Sequence, residues 1–292
     1  MARLRRAEIP SHTLTAELLL MHALGRGRTW LYTHPEEIVE GSVLDRYFDL
    51  VARRIAGSPT QYLTGKQEFW GLEFEVTPAV LIPRPETEHV VEVALERIGL
   101  RPTTGMRIAD VGTGSGCLAV ALARQLPGAK IFATDISADA LEVARRNAAR
   151  HDVAARIEFV ACNLLDAFIA EAEPSMPAVG AQHAAPLQPR FGLIVSNPPY
   201  VARREAATLP HEVGGHEPPH ALFGGEHGSE MYPALVPQAA ALLAPGGWLV
   251  VELGYNTLER VRALFDAQEV WTRVSVTNDL AGIPRVLAAE RR

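Results

Sequence analysis

Cysteine is nearly absent: Cys117 and Cys162 are the only two in 292 residues. Two thiols exclude a disulfide framework, and no C-x-x-C or Cys/His spacing points to zinc. Both read as small core residues rather than nucleophiles. Long apolar runs are missing too; none approaches the ~18 residues needed to cross a bilayer. The start, Met1-Ala2-Arg3-Leu4-Arg5-Arg6, is basic but lacks the apolar stretch of a signal peptide. A cytoplasmic protein with no membrane partner is the expectation. There is no basic excess either: the formal net charge is −6. That argues against a generic nucleic-acid binder, although a local basic face remains open. The ten histidines, His211, His216, His220 and His227 among them, lack a ligand pair such as H-E-x-x-H. No metal is expected.

Hydrophobic residues make up 48% and charged residues 21%. This is the composition of a globular chain with a full core. The length suits one large domain, or a medium domain with a small companion. Residues 11 to about 57 carry helical stripes, Leu14, Leu18, Leu19, Met21, His22 and Leu24, then Val43, Leu44, Tyr47, Phe48, Leu50, Val51 and Ile55. Gly25, Gly27 and Pro35 separate them. Phe69 to Val76 alternates around a glycine and reads as a β-hairpin. Leu81-Ile82-Pro83-Arg84-Pro85-Glu86-Thr87-Glu88 is a rigid passage into a helix near 86–99. The expected organisation is a helical N-terminal domain (1–64), a hairpin linker (65–85) and a larger domain (86–292).

From 106 onward strands and helices alternate. Strands are expected at 106–111, 130–135, 156–161, 191–196 and 247–253, with two more near 270–276 and 284–290. Helices are expected near 116–126, 138–150, 230–244 and 257–268. Such alternation means an α/β fold with a parallel sheet covered on both faces. The Ala- and Pro-rich stretch 170–190 reads as a flexible surface insertion.

Two loops carry the chemistry. Gly112-Thr113-Gly114-Ser115-Gly116 follows Asp110-Val111 at the end of the first strand of the alternating region. Glycines permit positive φ and close approach of a ligand to the backbone, and the loop opens into a helix N-terminus. Asp135 ends the next strand, placed either to take two ribose hydroxyls or to cap the following helix, a task Ser137 could perform instead. The spacing G-x-G-x-G differs from the dinucleotide fingerprint G-x-G-x-x-G and suits S-adenosylmethionine. Asp110 reads as a brace for the loop. Asn163 is placed either to reach an adenine amino group or to serve as a turn residue.

Asn197-Pro198-Pro199-Tyr200 leaves the strand at 191–196. The prolines stiffen the turn and hold the preceding residue extended. Asn197 and nearby carbonyls then face outward, able to accept both hydrogens of a planar NH2 group, with Tyr200 against its π face. Methylation of an amide or exocyclic amine nitrogen needs such a grip. The bland alternative is a proline-rich turn without function, disfavoured by the glycine loop upstream.

These motifs, together with Arg54 to Gly65, Glu68-Phe69-Trp70-Gly71-Leu72 and Asp279 to Arg285, resemble the protein-(glutamine-N5) methyltransferases, most closely the branch acting on peptide-chain release factors. The resemblance covers nearly the whole chain. It implies a class I, Rossmann-like, seven-stranded methyltransferase domain behind a small helical domain, with S-adenosylmethionine as methyl donor. It implies as acceptor the glutamine of the Gly-Gly-Gln loop of class I release factors. By position it assigns Gly112, Thr113, Gly114, Ser115, Gly116, Asp135, Asn163, Leu164 and Asn197 to the cofactor. It assigns Asn197, Pro198, Pro199 and Tyr200 to the substrate, with Asn197, Pro198 and Tyr200 catalytic. A monomer is expected, with no stable nucleic-acid partner.

Three departures stand out. Asn163 replaces a usual acidic residue, and Leu164 replaces a tryptophan of some relatives. Gly225-Glu226-His227-Gly228-Ser229 replaces a G-x-D-G-L run. The competing readings are a glutamine methyltransferase acting on a ribosomal protein, an adenine-N6 methyltransferase that flips its target base, and a non-catalytic scaffold. Pro83-Arg84-Pro85-Glu86-Thr87-Glu88 favours the release factor branch.

Overall fold

A computed structural model describes residues 1–170 and 190–292. The Ala- and Pro-rich stretch, from 171 to 189, lies outside the described residues. Strands β1 (Lys66–Phe69) and β2 (Leu72–Glu75) form an antiparallel hairpin. Seven more form one sheet: β3 (Arg107–Val111), β4 (Lys130–Asp135), β5 (Ile157–Ala161), β6 (Phe191–Ser196), β7 (Leu243–Glu252), β8 (Trp271–Asn278) and β9 (Pro284–Arg291). Their order is β5-β4-β3-β6-β7-β9-β8. All neighbours from β5 through β7 are parallel, and β9 runs antiparallel to β7 and β8.

The central strands are apolar throughout because both of their faces are covered. Ile108, Ile131, Leu193 and Val250 enter one core with the helices Glu88–Ile98 and Cys117–Gln125. Their neighbours Ala109, Phe132, Ile194 and Leu249 enter a second core on the opposite face. The helices Tyr232–Leu242 and Leu258–Asp266 cover that side.

The chain order places the site. From β3 the chain moves outward through β4 to β5, then returns to the other side of β3 for β6 and β7. Connections leaving β3 and β6 therefore diverge to opposite faces and open a crevice at the C-terminal edge. Val111 pairs with Ser196 at that edge, and the Ser196 hydroxyl donates to the Val111 carbonyl at 2.8 Å. The glycine loop and the Asn-Pro-Pro-Tyr turn are thus neighbours, although 80 residues separate them in sequence.

The N-terminal residues fold into the helices Ala2–Arg6, His12–Leu24, Arg28–Thr33, Gly41–Ile55 and Thr60–Thr64. They share a small core of Leu4, Ala16, Leu19, Ala23, Leu50, Val51 and Leu63. Here the expected stripe is partly wrong. Leu14 and Leu18 are exposed, while Thr15, Ala16 and Ala23 are buried with Leu19. Leucines occur around most of this helix, so their positions alone do not choose a face. Small residues let the neighbouring helix approach closely.

The hairpin turn is Trp70-Gly71, both left-handed with φ 55° and 70°. Two such residues match the right-handed twist of the flanking strands. The Trp70 N–H donates to Glu88 Oε1 at 2.8 Å and docks the hairpin on the following helix. β7 begins at Leu243, four residues earlier than expected. Residues 244–247, with Pro245 among them, bulge between the pairs Phe191–Leu243 and Leu193–Trp248. Among the described residues, no helix is long and apolar enough to cross a membrane.

Candidate active site

The glycine loop is built on alternating left-handed residues: Gly112, Gly114 and Gly116 have φ of 72°, 53° and 81°. A Cβ at Gly112 or Gly114 would meet no atom within 4 Å, so both turn an open backbone towards the crevice. Gly116 has a different reason to lack a side chain. A Cβ there would lie 3.0 Å from the Ala144 Cβ of the helix Ala138–Arg150.

Asp110 braces the loop from beneath. Its Oδ2 accepts from the Thr113 hydroxyl at 2.6 Å and from the Ala119 N–H at 3.0 Å. The carboxyl is fully buried, and its Oδ1 has no partner among the described residues. Burial pushes its pKa up to about 7, against the pull of those two hydrogen bonds. Asn147, also fully buried, ties the loop to the hairpin. Its Nδ2 donates to the carbonyls of Ser115 and Glu75, and its Oδ1 accepts from the Glu75 N–H.

Asp135 lies beside the loop at the end of β4. It accepts from the Gly114 N–H on Oδ2 and from the Ser137 N–H on Oδ1, each at 2.9 Å. Ser137 is the helix cap, its hydroxyl oxygen accepting from the Ala140 N–H at 3.2 Å. Asp135 is only partly buried and lines the cleft, and each of its oxygens can accept more than the one bond it makes here. Asn163 is exposed on the far side and donates to Asp166 Oδ2 at 3.3 Å. Leu164 is buried at φ 48° and contributes apolar wall.

Asn197 sits where the two loops meet. Its Nδ2 donates to Thr87 Oγ1 at 2.9 Å. Its Oδ1 is buried and has no partner among the described residues. Such an unpaired buried acceptor costs ~1–3 kcal/mol, so a ligand that supplies a donor would be rewarded.

One cleft brings together Gly112, Thr113, Gly114, Ser115, Asp135, Asn163, Leu164, Asn197, Pro198 and Pro199. Gly116 and Tyr200 are not on its wall. The Tyr200 ring lies against Gly254, where a Cβ would come within 2.9 Å of it. The Tyr200 hydroxyl donates to Glu252 Oε1 at 2.9 Å. The tyrosine therefore backs the turn instead of facing the cleft. Thr87, Ile136, Cys162 and His220 also line the cleft and were not foreseen. Ile136 is 71% exposed beside Asp135, an unusual place for an isoleucine and the signal that could have marked it. The thiols are poor nucleophiles here: burial pushes Cys117 up to about 12 and also raises Cys162. Among the described residues no cluster of His, Cys, Asp or Glu could hold a metal.

The sheet order and the glycine-loop crevice are those of a class I methyltransferase. Among solved structures, the catalytic domain of hMettl16 in complex with MAT2A 3'UTR hairpin 6 matches with a TM-score of 0.56 at 19% identity. That match covers 83% of this chain and 82% of the other. At such identity the likeness concerns the fold alone. The PrmC N-terminal domain family matches residues 1–65, and a methyltransferase domain family matches residues 102–175. The release factor glutamine methyltransferase of Koribacter versatilis (strain Ellin345) is 43% identical, over 99% of this chain and 94% of its own length. That of Bradyrhizobium diazoefficiens is 42% identical over 99% and 92%. The chain belongs to the release factor glutamine methyltransferase family.

Proposed function

We propose that the protein transfers a methyl group from S-adenosylmethionine to the side-chain amide nitrogen of the glutamine in the Gly-Gly-Gln loop of class I release factors. The observation that carries this reading is the Asn197 amide, tied at its nitrogen and unpaired at its buried oxygen.

The residues present fit the methyl donor. Gly112 and Gly114 offer bare backbone, Asp135 offers two carboxylate oxygens for ribose hydroxyls, and Ile136 and Leu164 offer apolar surface for a purine. The exposed amide of Asn163 serves the purine edge. When bound, S-adenosylmethionine supplies an electrophilic methyl on a positively charged sulfur.

An amide nitrogen is a weak nucleophile because its lone pair is delocalised. Asn197 Oδ1 and the Pro198 carbonyl each accept one N–H of the glutamine, and the stiff Pro198-Pro199 turn keeps both acceptors in place. The chain thus contributes orientation and preorganised dipoles. The nitrogen becomes acidic as its lone pair is used, so its proton leaves late and no strong base is required. Tyr200 acts from behind, holding the turn through Glu252. Residues 1–64 recognise the body of the release factor, and 65–85 join that unit to the catalytic domain 86–292.

Methyl-labelled S-adenosylmethionine with purified release factor tests the reading. Label should appear on the native factor and be absent when the Gly-Gly-Gln glutamine is replaced. Label on a ribosomal protein or on adenine, with none on the release factor, would overturn it.

A further inference from the structure

We infer that the loop at 224–230 is a buttress that seats the Asn197-Pro198-Pro199-Tyr200 turn, with Gly228 and Glu230 as positioning residues for methyl transfer. The inference rests on the reading above, in which that turn grips the substrate amide.

The turn needs support from outside. Pro198 and Pro199 have no N–H, so its backbone can make few hydrogen bonds of its own. Its two acceptors, Asn197 Oδ1 and the Pro198 carbonyl, must nevertheless be held still. Directly after the turn, Val201 enters a short parallel pairing with Phe223. The Val201 N–H donates to the Leu222 carbonyl at 2.9 Å, and the Val201 carbonyl accepts from the Gly224 N–H at 3.1 Å. The Arg203 N–H donates to the Gly225 carbonyl at 2.9 Å. These bonds lay the loop along the exit of the turn.

Against the turn itself the contact is backbone on backbone. Gly224 and Gly228 are both buried. A Cβ at Gly224 would overlap the Pro199 carbonyl oxygen, and one at Gly228 would overlap the Tyr200 carbonyl oxygen. Gly228 is also left-handed, with φ 79°. The two glycines therefore bear on consecutive carbonyls of the turn, an approach that a side chain at either position would block. Residues 222–230 do not line the cleft. They act through the turn and not on the substrate.

Glu230 folds the loop into this shape. Its Oε1 accepts from the His227 N–H and its Oε2 from the Ser229 N–H, each at 2.8 Å. Its own N–H donates to the Gly224 carbonyl at 3.1 Å and closes the loop at its base. One carboxylate thus gathers the N–H groups on either side of Gly228 and sets that glycine against Tyr200. The divergent run Gly225-Glu226-His227-Gly228-Ser229 forms the body of the loop. His227 and Ser229 serve it through backbone N–H groups, which any residue but proline supplies.

The test measures kcat, KM for the release factor, cofactor Kd and urea midpoint for Gly228→Ala, Glu230→Gln, Glu230→Asp and Asn197→Ala. Gly105→Ala is the control. Gly105 is left-handed at φ 75°, nothing lies within 4 Å of its Cβ, and it precedes β3 at the end away from the glycine loop. It reports backbone strain without the contact. Gly228→Ala should lower kcat about tenfold or more with cofactor Kd unchanged. Gly105→Ala should lower the urea midpoint and leave kcat at the wild-type value. Glu230→Gln has one acceptor oxygen for two N–H groups, and kcat should fall about three- to tenfold. Glu230→Asp keeps both oxygens and should recover part of that loss. Glu230 is exposed, so water serves the released N–H groups and the urea midpoint of its variants should stay near wild type. Wild-type kcat in Gly228→Ala or Glu230→Gln would overturn the buttress, as would an equal fall of kcat in Gly105→Ala. Should Gly228→Ala fail to fold, the Glu230 variants decide the matter. Wild-type turnover in Asn197→Ala would instead overturn the underlying reading of the amide grip.

Discussion

Arg84 Nη2 donates to Glu217 Oε1 at 2.5 Å, while the other oxygen of Glu217 accepts from the Ile82 N–H at 3.2 Å. The Glu217 side chain is 1% exposed and that of Arg84 29%. One carboxylate thus staples the passage at 81–88 to the segment that carries His220 and Ala221 on the opposite wall. Glu217→Ala would leave Arg84 and the Ile82 N–H without their acceptor. We expect a loss of about 2–4 kcal/mol, below that of a fully buried pair because Arg84 keeps some water. Urea unfolding measures it. KM for the release factor should rise as the walls part.

A second junction joins the N-terminal helices to the same segment. Gly57 has φ of 108°, and a Cβ there would overlap the His211 imidazole. Arg54, three residues earlier and buried, pairs with Glu212. Gly57→Ala should cost ~1–3 kcal/mol through backbone strain and displacement of His211. Gly41→Ala is the control: φ is not left-handed and nothing lies within 4 Å of its Cβ, so its melting temperature should hold or rise. Equal losses in both would refute a role for the contact. With cofactor Kd unchanged, a raised KM for Gly57→Ala would tie this junction to recognition of the protein substrate.

The parallel sheet was legible because strands buried on both faces are written as apolar runs, as in Lys130–Asp135 and Phe191–Ser196. The glycine loop and the Asn197 turn were legible because few other residues could make them. What sequence could not show was depth. Glu252 closes an apolar strand and looks like any strand-ending acid, yet it is fully buried. Tyr200 was expected against the substrate, since a tyrosine beside two prolines suggests a clamp. Its direction depends on Gly254 and Glu252, more than 50 residues away. Leu14 and Leu18 failed for a related reason, since the buried side of a leucine-rich helix is chosen by its neighbour.

Asp135 offers a sharper test of the cofactor loop. Its two oxygens each hold one backbone N–H, from Gly114 and from Ser137. Asparagine keeps the shape but retains only one acceptor oxygen, so one N–H would face an NH2 group. Asp135→Asn should weaken S-adenosylmethionine binding about tenfold or more, through both the loop and the lost ribose acceptor. Calorimetric titration reads it directly. Unchanged affinity would remove Asp135 from the cofactor site.

Two buried carboxyls give the free protein a distinctive pH dependence. Burial raises Asp110 from an ordinary 3.8, and Glu252 from 4.5, to about 7 in each case. A folded state that binds protons more tightly than the unfolded chain is favoured at low pH. The contribution is complete below the unfolded values near 4 and is lost as pH rises through about 7. Its ceiling is on the order of 4 kcal/mol for Asp110 and 3 kcal/mol for Glu252. Glu17, Glu75, Glu230 and Asp279 are shifted downward instead, so their opposing effect falls below this window. The urea midpoint should therefore fall between pH 5 and about 8, with a shallower slope in Glu252→Gln. A midpoint that rises over that range would contradict the raised values.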